Sequence, residues 1–214
     1  MDLVQRVGIM GGTFDPIHHG HLVAAEEARY QFGLEQVIFI PAGQPPHKVS
    51  RRISDARHRL AMTQLAIQSN PFFSASAIEI ERPGLSYTIN TVRDMRKMYP
   101  LAEIFFITGA DAVLEILSWK HIDELLNQCC FIAAKRPGYR LGRLGKKLPG
   151  IQEEQLKRII VMEVPALAIS STDIRERVLT GRPIKYLLPE VVENYIKEQG
   201  LYREVDQRTG GKAQ

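Results

Sequence analysis

The sequence predicts an α/β fold: a mostly parallel, doubly wound sheet with helices on both faces, plus a small helical part at the C-terminus. Three observations predict it. Six short apolar runs recur along the chain, at Val4–Met10, Gln36–Ile40, Phe73–Ile80, Ile104–Thr108, Cys130–Ala134 and Ile159–Val164. Segments with a period near 3.6 lie between most of them, which is the signature of strands alternating with helices. The first run ends in a glycine pair and is followed by a helix-like segment, the setting of a strand–turn–helix unit. Such alternation favours right-handed crossovers, which make strands parallel and cover both faces of the sheet. Ligands of these sheets bind at the carboxyl ends of the strands, where the strand order reverses.

Taken in order, the first strand feeds the turn Gly11-Gly12-Thr13-Phe14-Asp15-Pro16-Ile17-His18-His19-Gly20-His21 and then a helix-like segment from Leu22 to Phe32. A helix start offers backbone N–H groups and partial positive charge, so it accepts phosphate readily. Gly11 and Gly12 let the backbone approach a ligand, Gly20 lets it turn into the helix, and His18 and His21 add donors. No Gly-Lys-Ser/Thr follows, and Gly-x-Gly-x-x-Gly is absent, so the turn is neither a P-loop nor a dinucleotide fingerprint. Further on, Ser54 reads as the N-cap of a helix over Asp55–Gln68, with Ala61/Leu65 and Met62/Ala66 spaced to share faces. Another helix spans Tyr87–Met98. Pro137–Gly150, rich in glycine, proline and basic residues, reads as a surface loop. Ser171 and Thr172 precede a helix over Asp173–Leu179, where they cap the helix, donate to phosphate with Arg175 nearby, or both. One domain, residues 1–202, holds these elements, and 203–214 reads as a flexible tail.

Composition bounds the function. The 214 residues carry a net charge of +4, with 44% apolar and 24% charged residues. This suits a soluble protein that binds anionic nucleotides and does not argue for nucleic acid. Met1-Asp2-Leu3-Val4 is not a basic segment followed by an apolar run, so secretion is not expected; no run is long enough to span a bilayer, and a cytoplasmic protein is expected. Cys129 and Cys130 are adjacent in a strand, point to opposite faces and read as buried filling, not a disulfide. The possibility of a homo-oligomer stays open.

At this point a resemblance becomes specific. Gly12-Thr13-Phe14-Asp15-Pro16 followed by His18-x-Gly20-His21 resembles the nucleotidyltransferases with the T/HxGH motif, and Ile169-Ser170-Ser171-Thr172-x-Ile174-Arg175 matches their second motif. Within them, Pro45-Pro46-His47-Lys48, Arg59-x-x-Met62, Ser86-Tyr87-Thr88, Gly109-Ala110-Asp111, Trp119 and Lys135-Arg136-Pro137-Gly138 resemble the bacterial nicotinate mononucleotide adenylyltransferases, in order, over roughly residues 5 to 202. The resemblance implies a Rossmann-like fold and adenylyl transfer from ATP to nicotinate mononucleotide, yielding nicotinate adenine dinucleotide and pyrophosphate.

It also implies site residues. Gly11, Gly12, Thr13 and Phe14 border ATP. His18 and His21 hold the α-phosphate and the bridging oxygen. Lys48, Ser171, Thr172 and Arg175 hold the leaving phosphates. Gly109 and Asp111 meet the ribose, with Asp111 also suited to cap a helix, and Arg136 stacks on or borders the adenine. On the acceptor side, Lys48, Ser86, Tyr87 and Thr88 line the mononucleotide. The N–H of Thr88 suits a pyridine carboxylate, and Trp119 offers a face for the ring or packs as ordinary core. Mg²⁺ is expected with ATP. The sequence holds no acidic cluster shaped as a metal cage, so the ion is expected to ride on the phosphates with no protein ligand assigned. Two departures from the family pattern are Lys120, where some members have an aromatic residue, and Asn90, where many have Asp. The rivals are a pantetheine-phosphate adenylyltransferase of the same fold and a non-catalytic nucleotide- or nucleic-acid-binding protein.

Overall fold

The computed structural model describes residues 5–46, 53–114, 116, 119–135, 151–165 and 167–203. Among them, six parallel strands form one sheet in the order β3-β2-β1-β4-β5-β6. These are β1 (Arg6–Gly12), β2 (Gln36–Pro41), β3 (Phe73–Ala75), β4 (Glu103–Gly109), β5 (Cys130–Lys135) and β6 (Ile159–Glu163). The order runs outward from β1 in one direction and then restarts at β4, so the switch point lies between β1 and β4. A crevice at their carboxyl ends is the expected ligand site of such a sheet.

The strands are apolar almost throughout because both faces are covered. One face packs Met10, Val37, Phe39, Phe105 and Ile107 under α1 (His19–Phe32), α2 (Ala56–Ile67) and the C-terminal pair α8 (Ser171–Leu179) and α9 (Glu190–Glu198). The other packs Ile9, Ile40, Phe106 and Phe131 under α4 (Thr88–Met98) and α6 (Ile122–Gln128). Shorter helices are α3 (Ile78–Glu81), α5 (Ala110–Leu114) and α7 (Glu153–Leu156). Val7, Ile9, Ile40 and Ile107 have no exposed surface, and each such side chain contributes about 2 kcal/mol by leaving water. No helix among the described residues is long and apolar enough to cross a membrane. Cys129 and Cys130 are free thiols, and burial pushes both above their usual range.

Four sequence expectations are corrected. The helix expected from Leu22 starts three residues earlier, at His19, so His21 belongs to its first turn. Asp55, not Ser54, caps α2, its carboxylate accepting from the Arg57 N–H at 2.8 Å. The run Phe73–Ile80 is a strand only through Ala75, and Ile78–Glu81 is a helical turn. Its Ile-Glu-Ile-Glu alternation mimics a half-buried strand, but Glu79 turns inward and is 7% exposed. Finally, Ser170 caps α8 by accepting from the Asp173 N–H at 3.1 Å, while Ser171 and Thr172 lie inside the first turn.

Candidate active site

The turn after β1 is shaped by close approach. A Cβ on Gly11 would come within 2.8 Å of the Phe106 ring, and one on Gly12 within 2.9 Å of Phe14. Phe14 itself adopts a left-handed backbone (φ 49°), which buries its ring against Phe39 and edge-on to His21. That geometry swings the chain back over the sheet so that His18 becomes the N-cap of α1. The backbone N–H of His18 donates to Nδ1 of His21 at 3.2 Å. A neutral imidazole that accepts at Nδ1 carries its proton on Nε2, so His21 presents a donor at its far edge. The two rings stack at 3.8 Å with 23° between planes. Gly20 makes this possible, since a Cβ there would meet the His18 ring at 3.1 Å.

The second motif is bolted to the first. Ser171 Oγ donates to the Pro16 carbonyl at 2.8 Å, and Arg175 Nη1 donates to the Asp15 carbonyl at 2.6 Å. Arg175 Nη2 donates to Thr172 Oγ1 at 3.2 Å. Together these side chains and the two histidines line a cavity of about 400 Å³. Its apolar wall comes from Met10, Val23, Ala134, Val164, Leu167 and Ile169. Gly109 also lines it, and a Cβ built there meets nothing within 4 Å, so the glycine leaves room at the end of β4. Polar donors at one end and an apolar wall elsewhere suit a nucleotide, with phosphates at the helix starts and the base against the wall.

Three residues beneath the turn carry no role in the sequence reading. Asp15 is 4% exposed; its carboxylate accepts from the Ser54 N–H at 3.3 Å and the Tyr202 hydroxyl at 2.8 Å. Arg59, 1% exposed, donates to the carbonyls of Ser54, Thr13 and Gly43. Burial pulls its pKa below the usual value, opposed first by the Asp15 charge. Tyr202 is pushed well above the ordinary phenol range by burial and by Asp15, so it stays a donor. Asp15 had a local signal, standing in the motif Gly12-Thr13-Phe14-Asp15-Pro16. Tyr202 had none, because 187 residues separate it from its partner.

The residues expected to receive the acceptor gather on the opposite face of the sheet. Ser86 Oγ accepts from the N–H groups of Gly43 and Gln44 at 2.9 and 3.2 Å, which ties the loop after β2 to the start of α4. Tyr87 is the N-cap residue of α4, no side chain caps that end, and Thr88 is the first helical residue. The Lys120 ammonium lies 4.5 Å over the Tyr87 ring. Trp119 packs edge-on to Phe106 and Phe131, with centroids 6.1 and 5.9 Å away, and stays half-buried. Beside α4, Glu79 accepts from the Thr91 hydroxyl, and burial pushes its carboxyl above the usual range. A Cβ on Gly43 would sit 2.2 Å from the Glu79 carbonyl oxygen, so loop and helix meet backbone to backbone. The expectations placed on Lys48, Arg136 and the Asp111 side chain lie outside the described residues.

A strand order that restarts beside a glycine turn with two imidazoles, faced by a helix start with serine, threonine and arginine, defines a nucleotidyltransferase site of the α/β class. Comparison with known proteins narrows this. A family model described as cytidylyltransferase-like matches residues 9–177. A protein of Moorella thermoacetica named "Probable nicotinate-nucleotide adenylyltransferase" is 59% identical over 207 residues, covering 95% of each chain. One of the same name from Thermoanaerobacter sp. (strain X514) is 56% identical, over 98% of this chain and all of that one. Among solved structures, the Plasmodium falciparum nicotinic acid mononucleotide adenylyltransferase complexed with NaAD superposes with a TM-score of 0.72 at 19% identity. That match covers 92% of this chain and 97% of the other and supports the fold. The chain belongs to the cytidylyltransferase-like family, in its branch of nicotinate-nucleotide adenylyltransferases.

Proposed function

We propose that the protein transfers the adenylyl group of ATP to nicotinate mononucleotide, forming nicotinate adenine dinucleotide and pyrophosphate in NAD biosynthesis. One observation carries the reading: the stacked His18–His21 pair and the Ser171–Arg175 helix start line one cavity at the β1/β4 switch point. A phosphate oxygen of the mononucleotide attacks the α-phosphorus in line. The bond from that phosphorus to the α,β-bridging oxygen breaks, and pyrophosphate leaves with the electron pair. The attacking phosphate is already ionised at neutral pH, so no base and no covalent enzyme intermediate is needed. Catalysis is positioning and charge stabilisation.

In this reading the Nε2–H of His21, together with His18, meets charge growing on the α-phosphate and bridging oxygen. Arg175 commits one donor to Asp15 and one to Thr172, which leaves three of its five N–H bonds for the leaving phosphates. Because the Ser171 hydroxyl donates to Pro16, Ser171 serves the phosphates through its backbone N–H at the start of α8. Lys48, between β2 and α2 in the sequence, adds charge. Gly11, Gly12, Thr13 and Phe14 let the turn follow the nucleotide, while Gly109 and Asp111 take the ribose and Arg136 the adenine. Ser86, Tyr87, Thr88 and Trp119 hold the acceptor, the start of α4 favouring an anionic pyridine carboxylate over an amide. Among the described residues no three Asp, Glu, His or Cys side chains gather as a metal site, and the Asp15 carboxylate already holds two donors. Mg²⁺ would come with the triphosphate and neutralise phosphate charge there.

The test is pyrophosphate release from ATP and Mg²⁺ with nicotinate mononucleotide, nicotinamide mononucleotide or phosphopantetheine offered separately. Strong preference for the nicotinate acceptor is expected. Turnover of phosphopantetheine alone would move the chain to another branch, and silence with all three would overturn the enzymatic reading.

A further inference from the structure

We infer that Tyr202, near the end of the described chain, is a positioning residue for Arg175, acting through the buried carboxylate of Asp15. The inference rests on the adenylyl-transfer reading above. Its geometry is a relay of contacts. The Tyr202 hydroxyl donates to Asp15 Oδ1 at 2.8 Å, and the carbonyl of the same Asp15 receives Arg175 Nη1 at 2.6 Å. Arg175 lines the phosphate cavity, and Tyr202 does not. The Asp15 peptide thus fixes where the guanidinium points, and Tyr202 with the Ser54 N–H fixes the Asp15 side chain.

The backbone supports the same assignment. After α9, Gly200 takes a left-handed turn (φ 60°) and the Leu201 N–H closes onto the Ile196 carbonyl at 3.0 Å. Tyr202 then follows with φ 65°, a left-handed conformation that a side chain with a Cβ rarely adopts. Such a conformation persists where surrounding structure holds it, and here the hydroxyl reaches Asp15 Oδ1 with the Met62 sulfur 3.9 Å away. The Arg59 guanidinium is buried nearby, and the Asp15 charge acts on it, so phenol, carboxylate and guanidinium form one polar cluster under the turn.

The experiment is a double-mutant cycle on the full chain, read by pyrophosphate release with ATP and nicotinate mononucleotide and by thermal melting. Tyr202→Phe removes only the hydroxyl and should lower kcat about tenfold, the scale of one hydrogen bond to a charged group. KM for ATP should move less than about twofold, because misaimed phosphate donors matter most as charge develops. In an Arg175→Lys background, where the two-point hold is already gone, Tyr202→Phe should cost less than about twofold more. Asp15→Asn should behave alike, and the Asp15→Asn/Arg175→Lys pair decides by the same criterion should Tyr202→Phe lose its cooperative melt. Wild-type kcat in Tyr202→Phe would overturn the inference, as would a full tenfold loss repeated in the Arg175→Lys background. Failure of the reaction itself would show separately, as silence of the wild-type protein, and would remove this role with it.

Discussion

The two sides of the crevice are built by different means. On the side proposed to hold the phosphates, nearly every polar group is tied to a second one: His18 to His21, Ser171 to Pro16, Arg175 to Asp15 and Thr172, Asp15 to Ser54 and Tyr202. On the acceptor side, Trp119 is held by two ring contacts and Tyr87 is covered by one exposed lysine. The difference follows from what each must do. Growing phosphate charge is stabilised only by donors already aimed at it, since reorienting them during reaction would cost most of the gain. A flat aromatic ring needs area and exclusion of water, which packing supplies with less angular precision.

Breaking the phosphate side should have the largest effect. His21→Ala should lower kcat by about 10²–10³, the cost of one preorganised donor, while the melting temperature falls only slightly; comparable loss of folding would count against a catalytic role. Next comes the seam between the acceptor loop and α3. Gly43→Ala should destabilise the fold by about 2–3 kcal/mol by urea unfolding, because backbone faces backbone there and neither can yield cheaply. A loss under about 0.5 kcal/mol would mean that loop and helix separate freely. Trp119→Ala should raise KM for the mononucleotide about tenfold and leave KM for ATP unchanged; an equal rise in both would assign the ring to general packing. The smallest effect concerns Glu79. Its folded pKa is raised by burial, so the folded state holds its proton more tightly than the unfolded one. The stability it contributes is present below the unfolded value near 4.5 and is lost as pH rises through the folded value. Glu79→Gln should flatten that decline, measured as unfolding midpoints from acid to neutral pH, and an unchanged slope would remove Glu79 as its source.

Much of this comparison can be read from the sequence, and the reasons for the rest are physical. Continuous apolar runs such as Ile104–Thr108 mark buried parallel strands, and five of the six runs form strands of about the expected extent. The exception, Phe73–Ile80, carries a period of two through a helical turn because Glu79 finds Thr91 inside the fold. Local pattern could not show that partner. Helix starts shifted for the same kind of reason: Ser54, Asp55, Ser170, Ser171 and Thr172 are all competent caps, and only the fold chooses among them. His18, His21 and Arg175, proposed above as phosphate donors, announce themselves by motif. Tyr202 does not, since its value lies in a carboxylate far away in the chain; Arg59 stands in a motif, but the carbonyls it holds are not legible there.

The ties between the two motifs also bear on how the enzyme comes into being. Pro16 and Ser171 are 155 residues apart. At about 5–20 residues per second, a ribosome that has made the first motif needs on the order of ten seconds or more to deliver the second. Throughout that time the glycine turn and its histidines exist on a nascent chain without the arginine that faces them. The Tyr202 contact with Asp15 arrives later still, spanning 187 residues. Assembly of the site is therefore a late event in biosynthesis, and chains released early carry the first half of the proposed phosphate site without the second.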